Sequence, residues 1–159
     1  MSTDTNIILD KTDLQILRIL QDNARISNAD LARELGLAPS GVLERVKKLE
    51  QKNVILQYNA RINPVAVQQK LLAFIFMTVS PGHDYKKVAS LFAKIEQIQE
   101  VHQVAGDDCY LLKVRTCDTT SLMELMRTKI SKIPNLLSTR TTIVLETVKE
   151  QQGLAITEQ

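Results

Sequence analysis

Apolar residues follow a helical period through the first third of the chain. In LDKTDL, Asp10 is placed to cap a helix, and Asp13 stands three residues later between two leucines. ISNADL repeats this arrangement with Ser27 as the cap. The pattern predicts two helices, which begin near Lys11 and Asn28.

A third helix is predicted to begin at Pro39, because proline is tolerated at a first helical position where its missing amide needs no partner. Gly36 is predicted to end the preceding helix. The helical spacing predicts a buried stripe of four residues, Val42, Leu43, Val46 and Leu49. The following stretch, NVILQYNARIN, has a strand-like composition and is ended by Asn63-Pro64, so we expect a linker strand there.

From Leu71 the pattern changes to strand, helix, strand, strand, helix, strand. The strands are predicted in LLAFIFMTVS, VHQVA, CYLLKVRTC and STRTTIVLETV, and the helices in DYKKVASLFAKIEQI and TTSLMELMRTKISKI. This βαββαβ order is the ferredoxin-like arrangement. We therefore predict an α+β protein with a helix-turn-helix domain and linker strand over residues 1–63 and a ferredoxin-like domain over residues 64–159.

The first strand of the second half is apolar on both faces. Helices can cover only one face of a sheet, so the other face would stay exposed unless a partner covered it. The pattern favours self-association. The alternative is a central strand that is shielded by longer side chains of its neighbours.

Composition narrows the possible partners. The chain has 159 residues and a net charge of +2, with nine basic and eight acidic residues before Asn63 and eleven and ten after it. Evidence for DNA binding must therefore come from the local placement of charge.

The acidic N-terminus lacks the features of a signal peptide, and LLAFIFM is too short to span a membrane. Cys109 and Cys117 stand too far apart on one predicted strand for a disulfide, so we expect a cytoplasmic protein with no membrane partner.

The second and third helices are joined by a short glycine turn, which is the layout of a helix-turn-helix. A helical wheel places Ser40, Glu44, Lys47, Lys48 and Gln51 away from the apolar stripe, with Gly41 among them and Arg45 at the edge. Glu44 and Lys48 could instead form an ordinary ion pair on a solvated face. The capped helix and turn that precede this face favour DNA binding.

Taken together, LDKTDLQILRILQDNARISNADLARELGLAPSGVLERVKKLEQKNVI, GDDCYLLKV and STRTTIVLETV strongly resemble the Lrp/AsnC (feast/famine) transcriptional regulators. The resemblance extends from Leu9 to about Val148. It implies an N-terminal winged-type helix-turn-helix and a C-terminal domain that forms dimers, which assemble into tetramers or octamers. It also implies a small effector, commonly an amino acid, bound between dimers.

The resemblance assigns roles to particular residues. It implies DNA contacts at Ser40, Arg45, Lys47 and Lys48. The start and exposed face of the third helix add Pro39, Gly41 and Glu44 to the predicted DNA-binding residues. It implies an effector site at Gly106, Asp107, Asp108, Cys109, Thr139 and Thr141. Two positions depart from the family pattern: Ala38 replaces a usual serine cap, and Cys109 replaces an aspartate found in many members.

The residues leave some of these roles open. Gly106-Asp107-Asp108 is also a typical hairpin turn, and the two threonines could simply fill a strand surface. Cys109 is more typical of a buried apolar position than of a redox sensor. His83 and His102 lack metal-ligand spacing with each other or with either cysteine, so we expect no metal site. For a DNA-binding regulator we also expect no cofactor and no catalytic residues.

Three functions compete. We expect an oligomeric, sequence-specific regulator that binds double-stranded DNA in the nucleoid and responds to a metabolite. An architectural DNA-wrapping protein without an effector is the main alternative. An enzyme similar to siroheme decarboxylases, which share this fold, is a minor alternative, because the chain has few basic and histidine side chains for tetrapyrrole carboxylates.

Overall fold

The computed structural model of the protein describes residues 7–82 and 84–157, which form two compact units. The first unit comprises residues 7–61 and 150–157, and the second lies within residues 62–149. The elements in chain order are α1 (Lys11–Asp22), α2 (Asn28–Leu35), α3 (Pro39–Gln51), β1 (Leu71–Val79), α4 (Tyr85–Phe92), β2 (Ile98–Gln103), β3 (Tyr110–Thr116), α5 (Thr119–Thr128) and β4 (Leu136–Ile143), with a short 3-10 helix at Ile130–Lys132.

Side-chain caps begin the first two helices, as the sequence predicts. The Asp10 carboxylate accepts the Asp13 N–H at 2.8 Å, and the Asp13 carboxylate accepts the Asp10 N–H at 3.2 Å. The Ser27 hydroxyl accepts the N–H of Asp30 at 3.0 Å at the start of α2. Gly36 ends α2 with a φ of 67°, a left-handed conformation that favours glycine. Both helix starts and this helix end are confirmed.

A small apolar core joins the three helices of the first unit. Its buried members are Ile16, Leu31, Ala32, Val42, Val46 and Leu49. The predicted stripe on α3 is confirmed at three positions, but it was wrong at Leu43, which is 37% exposed. Successive helical residues are turned by about 100°, so Leu43 lies at the margin of the stripe that Val42 begins.

The predicted linker strand is not observed. Residues 53–63 form turns and irregular chain. A strand needs a neighbouring strand to pair its amides, and Val54 and Ile55 instead pack against the core of the first unit. Over its described residues, the first unit therefore has helices as its only regular elements.

The second unit is a four-stranded sheet with the order β2-β3-β1-β4, and all its pairs are antiparallel. β1 is central, so that Met77 lies opposite Tyr110 of β3 and opposite Thr139 of β4. With α4 and α5 as the two connecting helices, this is the βαββαβ arrangement. The α+β fold class and the ferredoxin-like topology are confirmed.

Both helices pack over one side of the sheet. α4 contacts β2 and α5 contacts β3, whereas β4 is exposed along most of its length. α4 ends at Phe92 and α5 at Thr128, earlier than predicted. The apolar positions beyond these ends, Ile95, Ile130 and Ile133, are nevertheless buried. Burial of apolar side chains therefore continues after the helical hydrogen bonding stops.

The opposite face of β1 is only partly covered. Leu72 is buried, and Phe74 and Phe76 are half-buried. The Arg140 guanidinium lies over the Phe76 ring, 4.1 Å from its centroid, in a cation–π contact. Shielding by a longer side chain of a neighbouring strand, which the sequence left open, is therefore present at Phe76. Self-association stays a prediction.

The C-terminal segment packs with the first unit, although the sequence-based division placed residues 64–159 together in the second domain. The Gln21 side chain is hydrogen-bonded to the backbone of Leu154, and Arg18 donates to the carbonyl of Ile156. Both anchors lie on α1. Because of these long-range contacts, residues 150–157 belong to the first unit and not to the unit that contains β4.

Three further observations concern membranes, metals and thiols. In residues 7–82 and 84–157, no helix is long and apolar enough to cross a bilayer. No group of three or more His, Cys, Asp or Glu side chains in that part of the chain could hold a metal ion. His83 lies outside the described residues. Cys109, which is half-buried, and Cys117, which is exposed, are free thiols.

Candidate functional site

One surface of α3 brings together most of the residues predicted to contact DNA. Six of them are exposed: Pro39, Ser40, Gly41, Glu44, Lys47 and Lys48. They lie on the part of the α3 surface that faces away from the buried Val42, Val46 and Leu49. A Cβ atom added at Gly41 would meet nothing within 4 Å, so the first turn is open to close approach. The helix thus presents small side chains at its start and two lysines further along.

Arg45 differs from these six residues because it is held by α1. Its Nη1 atom lies 2.6 Å from Asp10 Oδ2 and 2.7 Å from Asp13 Oδ1. The Arg45 side chain is 38% exposed, and that of Asp13 is 17% exposed. The same two carboxylates form the capping box of α1. Arg45 therefore joins the start of α1 to the middle of α3.

This cluster shifts the ionisation of its members. The backbone N–H of Asp13 and, after it, the Arg45 guanidinium hold the pKa of Asp10 below its usual value. The hydrogen bonds that Arg45 donates to Asp10 and Asp13 raise the pKa of its guanidinium. Both shifts favour the charged forms of the partners. The charged forms of Asp10 and Arg45 are thus favoured where the two helices meet.

The start of α3 has no side-chain cap. Ala38 occupies the N-cap position, and no side-chain hydrogen bond is formed there. Pro39 follows and has no amide hydrogen of its own. The departure from a serine cap that the sequence indicates is thus present in the structure. The amides of the first turn are left for water or for an anionic partner.

The end of α3 is tied to the segment that follows it. The Tyr58 hydroxyl donates to Glu50 Oε1 at 2.9 Å. Burial, followed by the nearby Glu50 carboxylate, raises the pKa of Tyr58 to about 12. The phenol is therefore neutral across the physiological range and remains a donor. This bond was not predicted, because an isolated tyrosine in a segment expected to be a strand gives no signal of it.

The predicted effector residues lie around Met77 of β1. Cys109 donates its backbone N–H to the Met77 carbonyl at 2.8 Å, and Thr139 is the β4 residue opposite Met77. Gly106 has a φ of +145°, which L side chains rarely adopt, and it allows the chain to turn between β2 and β3. The hairpin and the start of β4 are thus brought to the same end of the sheet.

The Asp108 carboxylate is already paired. Its Oδ2 atom accepts from Arg140 Nη2 at 2.8 Å, and the Thr78 hydroxyl donates to Oδ1 at 3.5 Å. Arg140 also covers Phe76, as described above. A ligand ammonium group would therefore have to compete with a guanidinium for Asp108, whereas Asp107 is exposed at the turn.

The two predicted threonines lie on the other face of β4. Thr139 and Thr141 stand opposite Met77 and Ile75, whose side chains belong to the buried core, and both threonines are exposed. Arg140 lies between them in sequence and points to the opposite face, because side chains alternate along a strand. The structure therefore divides the predicted effector residues between two faces of one sheet edge.

Cys109 is more closely connected to the core than to solvent. It is half-buried and packs against the core of the second unit, with its sulfur 3.8 Å from the Val79 carbonyl. The sequence did not single out Arg140 or Thr78, although the alternation of side chains along β4 could have placed Arg140 beside the hairpin. Both belong to any description of this end of the sheet.

Family models match both halves of the chain. A model described as winged helix-turn-helix DNA-binding matches residues 9–56, and one described as the Lrp/AsnC ligand binding domain matches residues 72–154. The chain belongs to the Lrp/AsnC family. The first match covers α1 to α3, and the second covers all of the sheet of this Lrp/AsnC protein except Leu71.

Relatives of known function match the Lrp/AsnC chain over nearly its full length. The leucine-responsive regulatory protein of Haemophilus influenzae is 38% identical over 158 residues, covering 98% of this chain and 95% of the relative. That of Escherichia coli K12 is also 38% identical, over 93% of this chain and 92% of the relative. The chain is thus a transcriptional regulator with a helix-turn-helix DNA-binding domain and a ligand-binding domain.

Solved structures share the same fold. A transcriptional regulator from Neisseria meningitidis in complex with L-methionine aligns with a TM-score of 0.88 and 28% identity, over 93% of this chain and 97% of that one. The feast or famine regulatory protein from M. tuberculosis, complexed with L-methionine, aligns with a TM-score of 0.87 and 33% identity, over 94% and 100%. Both of these solved regulators are complexes with the same amino acid, L-methionine.

Proposed function

We propose that this Lrp/AsnC regulator binds specific DNA sequences through the exposed face of α3. The observation that carries the proposal is the division of α3 into a buried stripe and an opposite surface with Ser40, Gly41, Lys47 and Lys48. In a helix-turn-helix the second helix enters the major groove, where its outward side chains reach phosphates and base edges. Glu44 is placed to accept from a cytosine amino group.

Arg45 has a different role in this proposal. Because its Nη1 atom donates to Asp10 and Asp13, we assign Arg45 to the positioning of α3 against α1 and not to a DNA contact. Hydrogen bonds between a guanidinium and carboxylates are charge-assisted and directional, so this cluster restrains the relative rotation of the two helices. The lysines on the outward face then supply the phosphate contacts.

We further propose that the chain acts as a homo-oligomer built from dimers that assemble to tetramers or octamers. A single α3 offers few phosphate contacts and the net charge is only +2, so one protomer should bind weakly. Two copies related by a two-fold axis can reach two half-sites, which raises affinity without new contacts. As a DNA-binding protein without enzymatic activity, it would work on the chromosome in the cytoplasm.

We propose an amino-acid effector that binds at the sheet edge formed by Gly106, Asp107, Cys109, Thr139 and Thr141. The L-methionine complexes of two structural relatives support the ligand class. Exposed backbone of the hairpin could hold the α-carboxylate or α-amino group, and Asp108 keeps the hairpin ordered through Arg140.

Selection from random DNA tests this function. The full-length protein is used to select duplexes from a random pool, and the selected sequence is then footprinted with and without each of the twenty amino acids. A selected sequence whose footprint changes with one amino acid supports the whole proposal. A footprint that stays the same across all twenty favours an architectural DNA-wrapping protein, and failure to select any sequence contradicts DNA recognition by α3.

A further inference from the structure

The end of the chain is bonded to α1 through the side chain of Gln21. Gln21 Nε2 donates to the Leu154 carbonyl at 3.2 Å, and Gln21 Oε1 accepts the Leu154 N–H at 2.7 Å. One carboxamide thus satisfies both backbone groups of one residue, as a neighbouring strand would. Removal of this side chain takes away two hydrogen bonds together.

A second anchor lies one turn earlier on the same helix. Arg18 Nε and Nη2 both donate to the Ile156 carbonyl, at 3.1 Å and 2.8 Å. Hydrogen bonds from a charged donor are stronger than neutral ones. Residues three apart on a helix are separated by about 5–6 Å, and two residues of extended chain span about 6.6 Å. The spacing of Arg18 and Gln21 therefore suits Ile156 and Leu154.

The chain leaves the first unit after Arg61 and returns to it at Glu150. At this point Arg61 Nη2 lies 3.8 Å from Glu150 Oε2, so the outgoing and returning segments are neighbours. The first unit is therefore joined to the second by two connections, of which one depends on the anchors at Arg18 and Gln21.

We propose that residues 150–157 form a strap that restricts the orientation of the DNA-binding unit and couples it to β4, the strand that carries Thr139 and Thr141. This inference rests on the proposed function. The strap contacts α1 and leaves the exposed face of α3 untouched. Its effect is therefore on how two DNA-binding units reach two half-sites together, and not on how one unit contacts one half-site.

The binding of two half-sites depends on how restricted the two units are. A docked strap reduces the range of orientations and raises the effective concentration of the second unit at its half-site. Release of the strap should weaken binding to a two-site duplex by about tenfold and leave binding to a single-site duplex unchanged.

The experiment uses full-length protein and two duplexes, one with both half-sites of the selected operator and one with a half-site scrambled. Gln21→Ala removes the side-chain anchor, and Leu154→Pro removes the backbone N–H that Gln21 accepts. Gln152→Ala is the matched control, an exposed glutamine of the same segment. Because Leu154→Pro leaves α1 intact, it tests the strap even if Gln21→Ala unfolds the helix.

We expect both strap variants to lose about tenfold on the two-site duplex alone, and the control to match the wild type on both duplexes. Unchanged affinity of both variants for the two-site duplex would overturn the strap, and so would an equal loss on the single-site duplex. Amide exchange at Leu154 should be faster in Gln21→Ala than in the wild type, and equal rates would also overturn it. If the wild type selects no operator, DNA recognition fails, and this exchange measurement alone decides whether the strap is docked.

Discussion

Arg45 of α3 and Asp13 of α1 are joined by an ion pair, with Nη1 2.7 Å from Oδ1. The Asp13 carboxylate also caps its own helix by accepting the Asp10 N–H. Arg45, at the edge of the outward face of α3, is therefore bonded to the capping box of α1. α1, which precedes the helix-turn-helix, and α3, which is the second helix of that motif, therefore share these charges.

Arg45→Ala should therefore act on stability more than on DNA contacts. We expect it to lower the free energy of unfolding by about 1 kcal/mol, because a partly exposed ion pair contributes little more than this. Lys48→Ala should leave stability unchanged and reduce the slope of log affinity against log salt by about 1. Urea unfolding and DNA titrations at several salt concentrations measure both. A lower salt slope with unchanged stability in Arg45→Ala would make Arg45 a DNA contact instead.

Acid should weaken the same cluster. The pKa of Asp10 is lower in the folded protein than in the unfolded chain, so its stabilisation is complete above the unfolded value of 3.8 and is lost as the pH falls through the folded value. Asp10→Asn keeps a capping side chain and removes the charge. We expect the variant to be less stable than the wild type at neutral pH and to lose less stability between pH 5 and pH 2, as followed by urea unfolding. If both proteins lose the same free energy of unfolding over this pH range, Asp10 does not contribute to the acid sensitivity.

Ala38→Ser supplies the missing cap of α3. Since Ala38 forms no side-chain hydrogen bond at the N-cap, serine should stabilise the free protein by about 1 kcal/mol. If a DNA phosphate satisfies these amides in the complex, the added hydroxyl should leave DNA binding unchanged or weaken it. Thermal unfolding and DNA titration of the same preparations provide both numbers. Tighter DNA binding by Ala38→Ser would count against a phosphate at this helix start.

Gly106→Val tests the hairpin. The space around Gly106 is open, so the substitution is opposed by the φ of +145° and not by crowding, and it should cost about 1–3 kcal/mol. We expect L-methionine to raise the unfolding temperature of the wild type and to leave that of this variant unchanged. Gly41→Ala, a substitution of a helical glycine with open space, serves as the control. If L-methionine still raises the unfolding temperature of Gly106→Val, the hairpin is only a turn and has no part in effector binding.

Local patterns were sufficient to predict most of the fold. The caps at Asp10 and Ser27, the glycine at Gly36 and the order of strands and helices all depend on residues close together in sequence, and the structure confirms them. The prediction of a linker strand was wrong because composition indicates strand propensity but does not show whether a neighbouring strand is available for pairing. The predicted burial of Leu43 was wrong because helical spacing does not decide whether a residue at the margin of an apolar stripe is buried.

The candidate site was harder to predict wherever a contact joins distant residues. Helical spacing placed Arg45 at the edge of the DNA-binding face, but its carboxylate partners lie 35 and 32 residues earlier. Arg18 and Ile156 are 138 residues apart, so no local pattern could show that the chain end returns to α1. Arg140 was not predicted because its partner, Asp108, lies 32 residues earlier in the chain.

The central claim is that α3 recognises a particular DNA sequence, and competition titration tests it most directly. Wild-type protein is bound to the selected operator at physiological salt and displaced by unlabelled operator or by an unrelated duplex of the same length. We expect the operator to bind at least about 1,000-fold more tightly than the unrelated duplex, and the double variant Lys47→Ala and Lys48→Ala to bind both duplexes more weakly. Equal affinity for the two duplexes would contradict sequence-specific recognition by α3.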